Sequence, residues 1–193
     1  RWIDFTSTIF VANAGHGNPE IVSELIKEIK KPLLHTYTFA NEKRALFLEK
    51  LISISPGQFQ KAFLLSAGTE ATECAIKIMR MNGQKSRRDK VGIISFRGSM
   101  HGRTMGAQML KGDPGQQEWI GYSDPNMYHL PFPYPWLAEG KDRNYNWGKH
   151  FENDVQELRR KGMDPEKTCG FMIESYLGWG AIFYPKAYVK ALE

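Results

Sequence analysis

Cysteine is nearly absent: Cys74 and Cys169 are the only two in 193 residues. Both stand in apolar surroundings and are too few for a disulfide framework, so a reducing, cytoplasmic compartment is expected. No apolar run approaches the roughly 20 residues of a membrane-spanning helix, and the N-terminus has no signal-peptide layout; no membrane partner is expected. The five histidines, His16, His35, His101, His129 and His150, lack ligand spacing with one another or with cysteine, which removes the case for a metal site. The chain contains no G-x-S-x-G elbow, no Walker Gly-Lys-Ser/Thr and no G-x-G-x-x-G. Acidic residues number 21 against 26 basic ones, a formal net charge of +5. The basic residues are scattered, and their densest cluster, Lys85 to Lys90, reads as a solvated loop. A nucleic-acid face would interleave them with exposed aromatics, so no nucleic-acid partner is expected. A positive balance instead suits small anionic ligands.

What remains is ordinary globular material, 41% apolar and 24% charged, long enough for one domain with a real core. Trp2–Phe5 reads as a strand. Asn18-Pro19 is a cap followed by proline at the first helical position, and Ile21, Val22, Leu25, Ile26 and Ile29 form one apolar helical face up to Pro32. Leu33–Phe39 reads as an extended connector, and 41–54 as a second amphipathic helix with Ala45, Leu48, Leu51 and Ile52 inward. Ala62–Leu65 has the length of a buried parallel strand. After the turn at Ser66–Thr69 comes a helix with Ala71, Cys74, Ala75, Ile78 and Met79 on one face. Strand signals recur at 91–96, 127–130 and 169–173. Helical signals recur at 104–110, 151–161 and 184–192, and 112–126 reads as a loop. Strands separated by helices imply an α/β fold with a mostly parallel sheet.

In such sheets ligands gather at the carboxyl ends of the strands. Ser66-Ala67-Gly68-Thr69 is a tight turn into a helix, which points free N–H groups and the positive helix end at one place and forms a seat for phosphate. The Thr69 hydroxyl there either caps the helix or bonds a phosphate oxygen. An ordinary strand-to-helix connection without a ligand fits the same residues. Arg97–Thr104, with His101 and Arg103, follows the next strand, and Glu174, Tyr176, Gly178 and Trp179 follow the last. Singly, His101 is explained by packing, Arg103 by a surface ion pair and Glu174 by solvation; together they converge on one crevice. These pieces suit a phosphorylated organic cofactor better than a nucleotide.

Four segments, in order, resemble the class III, ω-type aminotransferases, which use pyridoxal phosphate on the aspartate-aminotransferase-like fold (fold type I). Trp2–Phe5 through Asn13–Pro19, with Leu34-His-Thr36, is similar to the family's "DF…N.GH.HP" opening. Ala67-Gly-Thr-Glu-Ala71 with Ala75-Ile-Lys77 and Arg80 resembles "SGTEA…AIK.AR". Met100-His-Gly-Arg-Thr104 resembles the aromatic-"HGRT" motif, and Ile173-Glu174, Gly178-Trp-Gly180 and Tyr184-Pro185 resemble "IEP.QGEGG…P". The resemblance implies an N-terminal segment over 1–40 and part of a cofactor-binding large domain over 41–193. It implies cofactor contacts by Ala67, Gly68, Thr69, Met100, His101 and Glu174, and substrate contacts by Arg103, Ile9 and Trp179. Arg103 matches the arginine that takes a substrate carboxylate. The activity implied moves an amino group between an amino acid or amine and a keto acid, in a homodimer or with a companion chain. A racemase or aminomutase of the same fold, a non-catalytic module of that fold and a nucleotide-binding α/β domain are the competing readings.

The departures are specific. Met100 stands where the family has Phe or Tyr, Ala67 where it has Ser or Thr, Ser175 where it has Pro, and Trp179 where it has a glutamate. Trp179 points away from switching between glutamate-type substrates and toward a bulkier or more apolar side chain. The family's Schiff-base lysine and ring-nitrogen aspartate have no counterpart up to Glu193. The expectation is therefore the N-terminal portion of a longer enzyme or one chain of a split one, with no catalytic residue of its own.

Overall fold

The computed structural model describes residues 2–32, 38–138 and 145–193. The expected motif Leu34-His-Thr36 and most of the connector at 33–39 lie outside them. Contacts divide the chain into two compact units, Arg1–Phe63 and Leu64–Glu193. The boundary read from the sequence at 40/41 falls inside the first, just before a helix.

In the first unit, Trp2–Phe5 is not a strand. The Asp4 carboxylate accepts the backbone N–H groups of Thr6 and Thr8, both at 2.7 Å, and so folds the chain back on itself directly after this segment. A bond from the Thr6 hydroxyl at 2.7 Å, together with these two, holds the Asp4 carboxyl down at about 2, and a left-handed turn follows at Ser7–Phe10. Helix α1, Pro19–Ile29, starts as expected: the Asn18 side chain accepts from the N–H of Glu20 at 3.0 Å and of Ile21 at 3.4 Å, and Pro19 fills the first turn. Asn41 caps α2, Glu42–Ser53, in the same way through Arg44 N–H at 3.0 Å. Within α1 the apolar residues Ile21, Leu25 and Ile29 are exposed.

The second unit is built on a parallel sheet of three strands, β1 Gly92–Phe96, β2 Met127–Leu130 and β3 Thr168–Phe171, in the order β2-β1-β3. Ile93 pairs with Met127 and Phe96 with Leu130 on one side; Gly92 pairs with Thr168 on the other. All five residues of β1 are buried, as a strand covered on both faces requires. Its side chains alternate between two cores. Ile93 packs with Leu110 and with Ile76 of α3, Gly68–Gln84, whereas Ile94 and Phe96 pack with Leu130, Phe132, Leu158, Leu177 and Tyr188. The remaining helices are α4 Met105–Met109, α5 Pro114–Gln117, α6 Trp147–Arg160 and α7 Lys186–Leu192.

Three local expectations change. Residues 62–65 form no strand, and Phe63 is 72% exposed; apolarity alone supplies no ladder. Helix α3 buries Ile76 and Gly83, with Met79 beside them, and leaves Ile78 exposed. Its orientation is set by close approach: a Cβ on Gly83 would lie 2.2 Å from the Lys90 carbonyl oxygen. Arg80 then reaches the Val91 carbonyl at 3.0 Å and Asp124 at 2.6 Å, tying the helix to the start of β1 and the loop before β2. The expected loop at 112–126 contains α5 and a 3-10 turn, Glu118–Ile120, that buries Ile120. Helix α6 starts four residues before the expected Phe151, because Asn146 caps it through Lys149 N–H at 2.8 Å.

Candidate functional site

The loops after β1 and β3 and the start of α3 meet through hydrogen bonds between residues far apart in sequence. The loop after β1 carries Met100, whose backbone N–H donates to Glu174 Oε2 at 3.1 Å. The other carboxylate oxygen, Oε1, accepts from Gly178 N–H at 3.2 Å. Glu174 thus braces its own loop against the Met100 loop. Burial raises its pKa, and the two N–H bonds oppose that rise. A bridge between Leu177 and Ile182 closes the turn that presents Trp179, 60% exposed, to solvent.

The start of α3 comes against the same loop. Ala67 is the N-cap and supplies no side-chain cap, so the N–H groups of Gly68, Thr69 and Glu70 keep the unsatisfied state of a helix start. The Glu70 carboxylate reaches back to the N–H of Ser66 at 3.0 Å. Above Gly68 an added Cβ would meet nothing within 4 Å, so the N-terminus is open. Of the two expected roles, the Thr69 hydroxyl does not take that of helix cap; it lies 3.1 Å from the Thr104 hydroxyl. Gly102 makes that approach possible. Its φ is +138°, and a Cβ there would fall 2.0 Å from Thr69 Oγ1.

His101 is largely enclosed, and its Nε2 has no hydrogen-bond partner among the described residues. Burial alone brings its pKa from the ordinary 6.5 to about 4. The imidazole is therefore neutral at physiological pH. Because the folded state refuses a proton that the unfolded chain accepts, stability should fall as pH drops from 6.5 toward 4, by up to about 3 kcal/mol in total. Urea unfolding across that range checks this. His129 is shifted in the same direction, so the quantity to read is the difference from His101→Gln, which should flatten part of the slope; parallel profiles would refute it.

Met100, Arg103 and Trp179 line one cleft of about 600 Å³, together with Gln108, Lys111, Gln116, Glu118 and Trp119. Lys111 Nζ is held by Gln116 Oε1 at 2.6 Å and sits 6.0 Å over the Trp179 ring. Arg103 is exposed and has no ion-pair partner among the described residues. Ile9 belongs to the first unit, in the left-handed turn, 77% exposed. Among the described residues no cluster of His, Cys, Asp or Glu could hold a metal ion, and no helix is long and apolar enough to cross a membrane. Sequence reasoning missed Glu73, Lys111 and Trp119, and quoted Thr104 within its motif without giving it a role. Of the three, only Glu73 had a local signal, four residues after Thr69 and hence on its helix face.

Together these features define an α/β domain whose candidate site groups lie on loops beyond the carboxyl ends of parallel strands, beside an open helix N-terminus. The sequence matches the family Aminotransferase class-III over residues 1–193, and the chain belongs to that family. It is 32% identical over 95% of its length to the mitochondrial acetylornithine aminotransferase of Yarrowia lipolytica, and 34% identical over 96% to a probable 4-aminobutyrate aminotransferase of Bacillus subtilis. It spans 40% and 42% of those proteins. Among solved structures, the (S)-enantioselective omega-transaminase of Thermomicrobium roseum superposes with a TM-score of 0.86 at 26% identity, covering 99% of this chain and 43% of that one. The taurine:2-oxoglutarate aminotransferase of Bifidobacterium kashiwanohense, in complex with PLP and glutamate, gives 0.82 at 25% identity with the same coverage.

Proposed function

We propose that this chain forms the phosphate-anchoring and substrate-facing part of a pyridoxal-phosphate-dependent aminotransferase. The observation that carries the reading is the convergence of the open α3 N-terminus, the largely enclosed His101 and Arg103, which has no ion-pair partner among the described residues, on loops braced by Glu174. The residues present fit the cofactor. Backbone N–H groups of Gly68 and Thr69, with Ala67 leaving the helix end uncapped, suit a phosphate. Met100 and the uncharged His101 suit the apolar faces and edge of a pyridine ring. Glu174 holds the loop that carries them. When bound, pyridoxal phosphate supplies the electron sink for amino-group chemistry.

The chain's own contribution is placement. Arg103 binds a substrate carboxylate with its planar fork, and Trp119 and Trp179 offer apolar ring faces to the rest of the amino donor. The keto acid acceptor uses the same cleft. Ile9 as a pocket residue rests on the sequence resemblance alone. A homodimer is part of the same reading, supported by the exposed apolar residues of α1, and a cytoplasmic location is supported by two free cysteines.

The test uses the full natural polypeptide. It should bind pyridoxal phosphate at least tenfold more tightly than phosphate-free pyridoxal, and should transfer an amino group only when a keto acid is supplied. Loss of substrate chirality without a keto acid would instead establish a racemase, and equal affinity for the two pyridoxals would end the phosphate-seat reading.

A further inference from the structure

The Thr69 hydroxyl stands at the start of α3, where a phosphate would be expected to receive its proton. The surrounding hydrogen bonds send that proton elsewhere. Thr69 Oγ1 and Thr104 Oγ1 are 3.1 Å apart, and that contact alone lets either one donate. Glu73 removes the ambiguity. Its Oε1 accepts the backbone N–H of Ala107 at 3.0 Å, so this oxygen is an acceptor, and Thr104 Oγ1 donates to the same atom. A hydroxyl has one proton to give. With the Thr104 proton committed to Glu73, Thr104 accepts from Thr69, and the Thr69 proton is turned into the protein. Toward the helix N-terminus the Thr69 oxygen shows lone pairs only.

The packing holds the oxygens of this chain of bonds at their hydrogen-bonding distances. Gly102 closes over Thr69, and a Cβ on Gly106 would come within 2.3 Å of Glu73 Oε2. The loop Gly102–Ala107 therefore clamps the three side chains together. A phosphate dianion also presents acceptors only, so it gains no bond from the hydroxyl as the hydroxyl is held here.

We propose that Glu73 is a positioning residue for the cofactor phosphate. Acting through Thr104, it fixes the Thr69 hydroxyl as an acceptor, so that the phosphate is held by the backbone N–H groups of Gly68, Thr69 and Glu70 and not by the side chain. The proposal deepens, and rests on, the phosphate seat described above.

The test is a double-mutant cycle on pyridoxal phosphate affinity, measured by equilibrium titration of the full natural polypeptide, with phosphate-free pyridoxal as the control ligand. Thr69→Val in the otherwise unaltered chain should change affinity by less than about threefold. In a Thr104→Val background Thr69 recovers its proton for the phosphate, and the same Thr69→Val change should weaken binding roughly tenfold, the scale of one charge-assisted hydrogen bond. Glu73→Gln keeps an acceptor oxygen and should match the unaltered chain, whereas Glu73→Leu should reproduce Thr104→Val. If Glu73→Leu fails to fold, the threonine cycle decides alone. A tenfold loss for Thr69→Val in the unaltered chain, or an equal loss in both backgrounds, overturns the proposal. Equal affinity of the unaltered chain for the two pyridoxals is a different result, which ends the seat itself along with the inference built on it.

Discussion

Replacing Phe96 by alanine should destabilise the protein by about 3–5 kcal/mol, the largest stability effect expected from one side-chain truncation here. Phe96 is fully buried at the end of the central strand. Its ring packs against Phe132, Tyr184 and Tyr188, with centroids 6.1, 5.2 and 6.0 Å away. Truncation removes the apolar area, opens a cavity between the sheet and α7, and breaks three aromatic contacts worth about 0.5–1.5 kcal/mol each beyond burial. The damage reaches function as well, because the next residues are the loop that carries Met100, His101 and Arg103. Phe96→Leu refills most of the volume and should cost less than about 1.5 kcal/mol. Urea denaturation of both variants measures the pair; a loss below about 1 kcal/mol for the alanine variant would mean that the core closes around the hole.

For activity, the largest effect expected is that of Arg103→Ala, and it should be selective. Removing one partner of a charged hydrogen-bonded contact costs about 2–5 kcal/mol, which is roughly 30-fold to several thousand-fold in kcat/KM for an amino donor bearing a carboxylate. An amine without a carboxylate never uses the guanidinium and should lose less than about threefold. Arg103→Lys keeps the charge without the planar fork and should recover only part of the loss. Because Arg103 is exposed and unpaired among the described residues, the alanine variant should unfold within about 0.5 kcal/mol of the unaltered protein. Equal losses for the acid and the amine would remove Arg103 from carboxylate recognition and point to a general disturbance of the cleft.

How much of this was legible in the chain differs from element to element. The cap at Asn18 was readable because it acts within three residues. The strands at 92–96 and 127–130 were readable as short apolar runs bounded by turn residues. The run at 62–65 has the same look and is no strand, since pairing depends on a neighbour that local composition does not describe. Ile78 was expected inside and lies outside because the face that α3 buries is chosen by Gly83 and Arg80 against residues around β1. Of the expected site residues, Met100, Arg103 and Trp179 share a cleft, and Met100 and Glu174 are joined directly. Lys111 and Trp119 were not singled out, because nothing in their immediate sequence distinguishes them from other surface residues of a turn-rich stretch.

The sequence by itself determined the family, through four ordered motifs along the chain, and with it the fold. Those are consequences of spacing and of local backbone preference, which a linear chain carries openly. Tertiary structure alone decided what each polar group at the site can do. Thr69 and Thr104 are 35 residues apart, Glu73 and Thr104 31, and Met100 and Glu174 74. Whether a hydroxyl donates or accepts depends on partners brought across those separations. The direction of the Thr69 proton is therefore a property of the folded arrangement, and no reading of Gly68-Thr69 in isolation reaches it.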